Sequence, residues 1–332
     1  MSANTRLNKR EPPLRYDVFN GDADGICALH QLRLAEPATT ILVTGPKREI
    51  DLLSRVPVGA DDCVTVLDIA LSKNREALDR LLAGGARIRY FDHHQPGEIP
   101  VHPKFEAHID TGADVCTSLL VNHYIQGRHL AWAVTAAFGD NLANAAIAAA
   151  APLSLSAGQL AQLRSLGECL NYNGYGETLD DLFFDPAELY RQLRPYADPF
   201  QFAAESEAYA TLKNGYAADM TRAIAVMPAE VRPTGRVFVL PPEKWARRIS
   251  GVFGNRLAVE SPGQAHAVLT AKPQGGYVVS VRAPLDAKRG ADVLCSQFDT
   301  GGGRTGAAGI NHLPDADIDR FVAAFFTVFT RS

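Results

Sequence analysis

The 332-residue chain has no surplus of positive charge, since 33 lysines and arginines stand against 37 acids for a net charge of −4. Sequence-independent adhesion to nucleic acid needs a broad cationic surface, so that class of function is disfavoured, whereas a small anion gripped locally is not. Cysteine is scarce: Cys27, Cys63, Cys116, Cys169 and Cys295 are scattered without close pairing, which excludes a disulfide framework and fits reduced thiols in a cytoplasmic protein. No long leucine-rich run exists. The most apolar stretch, about 130–153, is alanine-rich and carries Asp140, Asn141 and Asn144, so a strand followed by a core helix is expected there rather than a membrane span. Repeats and low-complexity tracts are also missing. The start, Met1 to Pro13, is basic without an apolar h-region and reads as a loose tail, not a secretory signal.

What is present is an ordinary globular composition, 46% apolar and 21% charged, in a chain long enough for two hydrophobic cores. Apolar, β-rich runs at 15–19, 40–44, 63–67, 87–91 and 105–109 alternate with helix-like segments at 24–34, 49–55, 74–83 and 115–125. That alternation is the signature of βαβ units on a parallel sheet. From 154 to 229 the periodicity turns helical, interrupted by Gly167, Gly174, Pro186, Pro195 and Pro199. Strands return at 236–240, 266–271 and 277–282, with helices expected at 243–259 and 289–298. The reading is an α/β protein: a parallel-sheet domain at 14–153, a helical connection at 154–232 and a smaller α/β domain at 233–330.

Four apolar segments of the first half each run into an acid or an imidazole. They deliver Asp22 and Asp24, Asp68, the triplet Asp92-His93-His94, and Asp140. In open parallel sheets ligands collect beyond the carboxyl ends of the strands. Oxygen donors with imidazole and without cysteine suit Mn²⁺ or Mg²⁺, and divalent ions would relieve the repulsion among crowded carboxylates. Taken singly, Asp22, Asp24 and Asp68 read equally well as turn or helix-capping residues, and Asp140 as part of a Gly-Asp-Asn turn. Asp110 competes with Asp140 for the same role. Cys116-Thr117-Ser118, at a helix start, reads equally as an ordinary capped helix or as a phosphate contact. Near the C-terminus, Gly301, Gly302 and Gly303 allow close backbone approach to an anion, with Arg304 and Arg282 adding charge. His30, His108, His123 and His266 lack a ligand-like grouping and are read as structural.

Asn20-Gly21-Asp22-Ala23-Asp24-Gly25, then Asp68, Asp92-His93-His94 and Asp140, resemble the motifs of the DHH phosphoesterase superfamily, and the glycine-rich end resembles its DHHA1 domain. The superfamily includes RecJ-type exonucleases, nanoRNases, cyclic-dinucleotide phosphodiesterases and family II inorganic pyrophosphatases, and the resemblance covers most of the chain. It implies two Mn²⁺ (or Mg²⁺) ions, one held by Asp22 and Asp68, the other by Asp24, His93, Asp140 and a bridging Asp68. Asp92 would fix an imidazole, His94 would meet the scissile phosphate or protonate the leaving oxygen, and Asn20 would bond a metal water or the substrate. Arg282, Gly301, Gly302, Gly303 and Arg304 would hold the rest of the substrate across a cleft. Three positions depart from the pattern: Val18 stands where many relatives have a histidine ligand, which implies a weaker first ion site; Asn20 replaces the leading aspartate; Arg304 replaces a histidine. The implied substrate is a short oligonucleotide, a dinucleotide or a phosphoadenosine phosphate, with no long-duplex binding, no membrane role and a homodimer left open. Pyrophosphate or polyphosphate hydrolysis is one alternative, and a nucleotide-binding module with little or no turnover is another.

Overall fold

A computed structural model describes residues 13–330, so residues 1–12 of the expected N-terminal tail lie outside the described residues. The elements run β1 (Arg15–Phe19), α1 (Ala23–Ala35), β2 (Ile41–Val43), β3 (Cys63–Leu67), α2 (Arg75–Ala83), β4 (Arg87–Asp92), β5 (Phe105–Ile109), α3 (Thr117–Tyr124), α4 (Leu130–Gly139), α5 (Ala143–Ala150) and α6 (Ala157–Gly174). They continue with α7 (Pro186–Leu193), α8 (Pro199–Glu205), α9 (Glu207–Ile224), β6 (Glu230–Arg232), β7 (Gly235–Leu240), α10 (Lys244–Glu260), β8 (Ala265–Ala271), β9 (Tyr277–Arg282), α11 (Ala291–Cys295), β10 (Gly301–Arg304), β11 (Ala307–Leu313) and α12 (Ile318–Thr330). The chain forms two compact units. One takes the residues up to Gly45, then Glu49–Gly167 and Pro186–Gln201; the other takes Pro46–Arg48, Glu168–Asp185 and the chain from Phe202 onward.

In the first unit, β1 to β5 form a sheet in the order β2-β1-β3-β4-β5, with every pairing parallel. The strands alternate: Tyr16, Val18, Val64, Val66, Ile88 and Tyr90 belong to one apolar cluster, while Asp17, Thr65 and Arg89 fall on the opposite side of the pleat. Val18, Val66, Ile88 and Tyr90 pack with Leu78, Leu81 and Leu82 of α2 on one side, while a second cluster joins Cys116 and Val134 to Phe138, Ala146 and Leu163 among the helices. The chain leaves β1 for β2 on one side and returns to β3 on the other, so the order reverses around β1. A crevice at such a switch point is the ordinary ligand position of an open α/β sheet.

In the second unit, β6 to β11 form a mixed sheet in the order β10-β11-β9-β8-β7-β6. The pair β7 and β8 is parallel and the other neighbours are antiparallel. One face packs against α12, whose Phe321, Phe325 and Phe329 recur at helical spacing and are buried with Val237, Leu269 and Val279. Each buried phenylalanine contributes on the order of 2 kcal/mol of hydrophobic stabilisation. The other face packs Phe238 and Val268 against Trp245, Ile249 and Phe253 of α10.

Three local expectations are corrected. The expected strand leading into Asp140 is the helix α4, closed by an Asp140 N–H to Ala136 carbonyl bond of 2.8 Å. Its Leu-Ala-Trp-Ala-Val-Thr-Ala-Ala-Phe stretch is dominated by strong helix formers, and a short apolar run does not by itself separate buried helix from buried strand. The helix expected at 49–55 shrinks to one 3₁₀ turn, Leu53–Arg55. Pro57 limits its extension, and the Asn74 side chain takes the backbone groups instead, binding Leu53 N–H at 3.1 Å and the Ile50 carbonyl at 2.7 Å. The glycine-rich segment is a hairpin of β10 and β11 turning at Thr305 and Gly306, not a loop. No helix among the described residues is long and apolar enough to cross a membrane.

Candidate metal centre

Each acid of the centre owes its place to the end of an element. After β1, Asp22 is the N-cap of α1, its Oδ1 accepting the N–H groups of Asp24 at 3.0 Å and Gly25 at 3.1 Å. Asp24 thereby stands in the first helical turn. After β3, Asp68 adopts a left-handed backbone, φ +60°, while its N–H bonds the Phe91 carbonyl at 3.0 Å. Such a conformation is unfavourable for most side chains and best tolerated, outside glycine, by aspartate and asparagine. β4 ends in Asp92, and His93 and His94 follow it. Asp140 caps the C-terminus of α4. Gly139 permits that approach, since a Cβ on it would lie 2.5 Å from Ala23 Cβ and 2.7 Å from the Gly167 carbonyl.

The side chains meet. His93 Nε2 lies 3.4 Å from Asp68 Oδ1, 3.9 Å from Asp140 Oδ2 and 4.0 Å from Asp24 Oδ2. Two overlapping groups result, Asp24 with His93 and Asp140, and Asp68 with His93 and His94, each with ligand atoms close enough to share one ion. His93 Nδ1 lies 2.8 Å from the Val115 carbonyl, which can only accept, so Nδ1 carries a proton and Nε2 is turned to the acids. His94 Nδ1 lies 2.7 Å from Asp92 Oδ1, and the same oxygen accepts the His93 N–H at 2.9 Å. The His94 side chain is 38% exposed, unlike its buried neighbours.

Electrostatics match the donor set. Burial, reinforced by Asp24 and Asp22, raises the Asp68 pKa well above the usual carboxylate value, against the opposing pull of His93. Burial disfavours charge on His93, yet its hydrogen bond to Asp68 and the charges of Asp68, Asp24 and Asp140 outweigh it and lift the pKa to about 10. The carboxylates thus concentrate negative potential at one point and demand a compensating cation. Hard oxygen donors with one or two imidazoles fit Mn²⁺ or Mg²⁺. Asp22 joins neither three-residue group, though it is near enough to influence Asp68. Asn20 is buried beside them, its N–H bonded to the Leu67 carbonyl at 3.2 Å. Val18 lies in the apolar core under the sheet. Asp110 belongs to neither group and holds the Gly112 N–H at 2.9 Å.

The second unit carries a separate cationic cluster. Arg282, at the end of β9, donates to Asn255 Oδ1 at 2.6 Å, Ser280 Oγ at 2.9 Å, the Val281 carbonyl at 3.0 Å and the Gly251 carbonyl at 3.2 Å. Arg48, open to solvent on one side, bonds Asn311 Oδ1 at 2.9 Å. Desolvation by surrounding protein and the neighbouring charge of Arg282 lower its pKa against the pull of Tyr175 and Glu177. Lys47 Nζ stands 5.5 Å from the centroid of the Tyr175 ring. Arg48 and Lys47 were not legible as site residues, because a Pro-Lys-Arg turn after a strand has no distinctive pattern. β10 is an edge strand of this sheet, and its first N–H, of Gly301, is taken by the Phe298 carbonyl at 2.8 Å. A Cβ on Gly303, at φ +144°, would lie 2.5 Å from Ala308 Cα, while Gly302 faces open space.

No protein-family model matches the chain, and no curated protein matches it. Solved structures do. The exonuclease RecJ bound to manganese aligns over 96% of this chain and 90% of its own, at 18% identity and a TM-score of 0.62. A DHH-domain member of the s1p family of ribosomal proteins aligns over 95% and 86%, at 15% identity and a TM-score of 0.63. The chain has the DHH fold. A pGpG-specific phosphodiesterase from Vibrio cholerae, PggH, shares it over 96% of this chain and 99% of its own, at 16% identity and a TM-score of 0.55. Within this DHH fold the Asp92-His93-His94 triplet lies at the end of β4, where the two ligand groups overlap.

Proposed function

We propose that the protein is a metal-dependent phosphoesterase acting on a small nucleotidic phosphodiester or phosphomonoester. The observation that carries the reading is the convergence of Asp24, Asp68, Asp140, His93 and His94 into two ligand groups that share His93. RecJ and PggH, which share the fold, are named as an exonuclease and a phosphodiesterase, and the RecJ structure holds manganese. When bound, a pair of Mn²⁺ or Mg²⁺ ions would supply an activated hydroxide and neutralise charge on the phosphoryl group.

The residues of the chain then divide the remaining work. The Val115 carbonyl holds the Nδ1 proton of His93, so that Nε2, on giving up its own proton, would offer a lone pair to an ion. Asp92 accepts a hydrogen bond from His94 Nδ1–H, which orients the partly exposed ring and leaves Nε2 to contact the phosphate or, when it carries a proton, to pass it to the leaving oxygen. Within the second unit, Lys47, Arg48, Arg282 and Arg304 would offer donors to an anion. A chain of net charge −4 with its cations grouped in this way suits a short anionic substrate better than a long polynucleotide track.

The test is product analysis with Mn²⁺-loaded protein and a panel of di- to pentanucleotides, cyclic dinucleotides, phosphoadenosine phosphate and pyrophosphate. Release of nucleoside monophosphate, lost in Asp68→Ala, is the expected result. Orthophosphate from pyrophosphate alone would move the activity to the pyrophosphatase class, and tight nucleotide binding without cleavage would leave a sensor.

A further inference from the structure

The N-terminus of α3 is committed to the metal centre. Thr117 N–H donates to Asp24 Oδ2 and Ser118 N–H to Asp24 Oδ1, both at 2.7 Å, and Ser118 Oγ donates to the Asp24 carbonyl at 2.8 Å. Thr117 Oγ1 donates to Asp68 Oδ1 at 3.1 Å. Thr117 and Ser118 are fully buried. Cys116, the N-cap of α3, supplies no side-chain cap of its own. Asp24 therefore satisfies the first amides of a helix 93 residues further along the chain, and these amides are not available to a phosphate.

Asp24 and Asp68 belong to different ligand groups, one with His93 and Asp140, the other with His93 and His94. They come from different strand ends, after β1 and after β3, and share no covalent neighbour. Thr117 touches both, through its backbone N–H and its hydroxyl. We infer that Thr117 is a positioning residue that sets the placement of Asp24 against Asp68, and with it the spacing of two neighbouring ion sites. The inference rests on the metal-centre reading above. A ligand carboxylate can rotate about its own bonds, and a fixed donor on one oxygen removes that freedom before an ion arrives. Hydrogen-bonding partners that orient ligands are commonly worth 10- to 100-fold in metal affinity.

An ordinary structural threonine would serve folding alone, and one substitution separates the roles. Thr117→Val keeps the shape and the backbone N–H to Asp24 and deletes only the hydroxyl. Full-length wild type, Thr117→Val and Thr117→Ser, stripped with chelator, are titrated with Mn²⁺ by calorimetry. Electron paramagnetic resonance follows free and spin-coupled Mn²⁺. Expected is a roughly 10-fold loss of Mn²⁺ affinity in Thr117→Val, a weaker spin-coupled signal, and recovery in Thr117→Ser. Should Thr117→Val not fold, Thr117→Ala removes the hydroxyl without an added methyl and carries the same expectation. Titrations of a folded hydroxyl-free variant and wild type that agree within about twofold would overturn the inference and leave the metal centre standing. A wild type that takes up no Mn²⁺ would overturn the metal centre itself, and this inference with it.

Discussion

The His93 imidazole is held from behind by the Val115 carbonyl, 2.8 Å from Nδ1, so that Nε2 faces Asp24, Asp68 and Asp140 at once. His94, the next residue, is turned by Asp92 and stays partly exposed. The two histidines should therefore fail differently. His93→Ala removes the residue common to both ligand groups and is expected to abolish stoichiometric Mn²⁺ uptake. His94→Ala is expected to retain at least one ion per chain while turnover falls about 10²- to 10⁴-fold, the usual loss for a proton-transfer group. Metal analysis beside steady-state rates distinguishes the pair, and equal metal loss in both would contradict the assignment.

Asp68 combines a left-handed backbone with a crowded, buried carboxylate. Both substitutions Asp68→Gly and Asp68→Ala should end hydrolysis. In the metal-free protein, however, glycine accepts φ +60° without strain, so Asp68→Gly should be more stable than Asp68→Ala by about 1 kcal/mol. Urea unfolding of the two variants side by side checks the order; alanine equal to or above glycine would show that the backbone relaxes there.

Gly139 lets α4 lie against α1 and carry Asp140 to the centre. A methyl on it would lie 2.5 Å from Ala23 Cβ, inside van der Waals contact. Gly139→Ala is expected to cost about 1–3 kcal/mol of stability through overpacking and to weaken Mn²⁺ binding. Because Asp140 itself is untouched, retained stability with retained affinity would mean that α4 can shift without consequence.

His30 is fully buried, with its edge against Trp132 and its Nε2 2.7 Å from the Tyr196 carbonyl. Burial lowers its pKa from 6.5 to about 4, the carbonyl hydrogen bond opposing only in part. The neutral ring is thus favoured in the folded state, and the unfolded chain binds more protons between these values. Its contribution is fully present above pH 6.5 and is lost as the pH falls towards 4, to a total of about 3 kcal/mol. Stability measured from pH 7 to pH 4 should fall more steeply in wild type than in His30→Gln, which keeps a donor without a titrating ring; parallel curves would refute this.

Much of this molecule was legible before its structure. The strands β1, β3, β4, β8 and β9 announce themselves as short apolar, β-branched runs between polar breaks, and the acids after them fall at strand ends because parallel sheets terminate that way. The Asp140 segment misled, because an apolar run of that length supports helix or strand until a partner is known, and its alanines found helices rather than a sheet edge. The glycine run signals close backbone approach but not its pairing with β11, since hairpin register depends on the turn that closes it.

The sequence by itself determined the chemistry on offer: which side chains bear charge, how the polypeptide alternates strand and helix, and that oxygen and imidazole donors would gather without thiolates. Only the tertiary structure decided which donors lie close enough to share an ion, since Asp24, Asp68, His93 and Asp140 lie far apart along the chain and converge through sheet order and helix packing. The same holds for Thr117 and Arg48, whose neighbours come from distant segments. Residue type sets what a group can do, whereas long-range packing sets what it can reach.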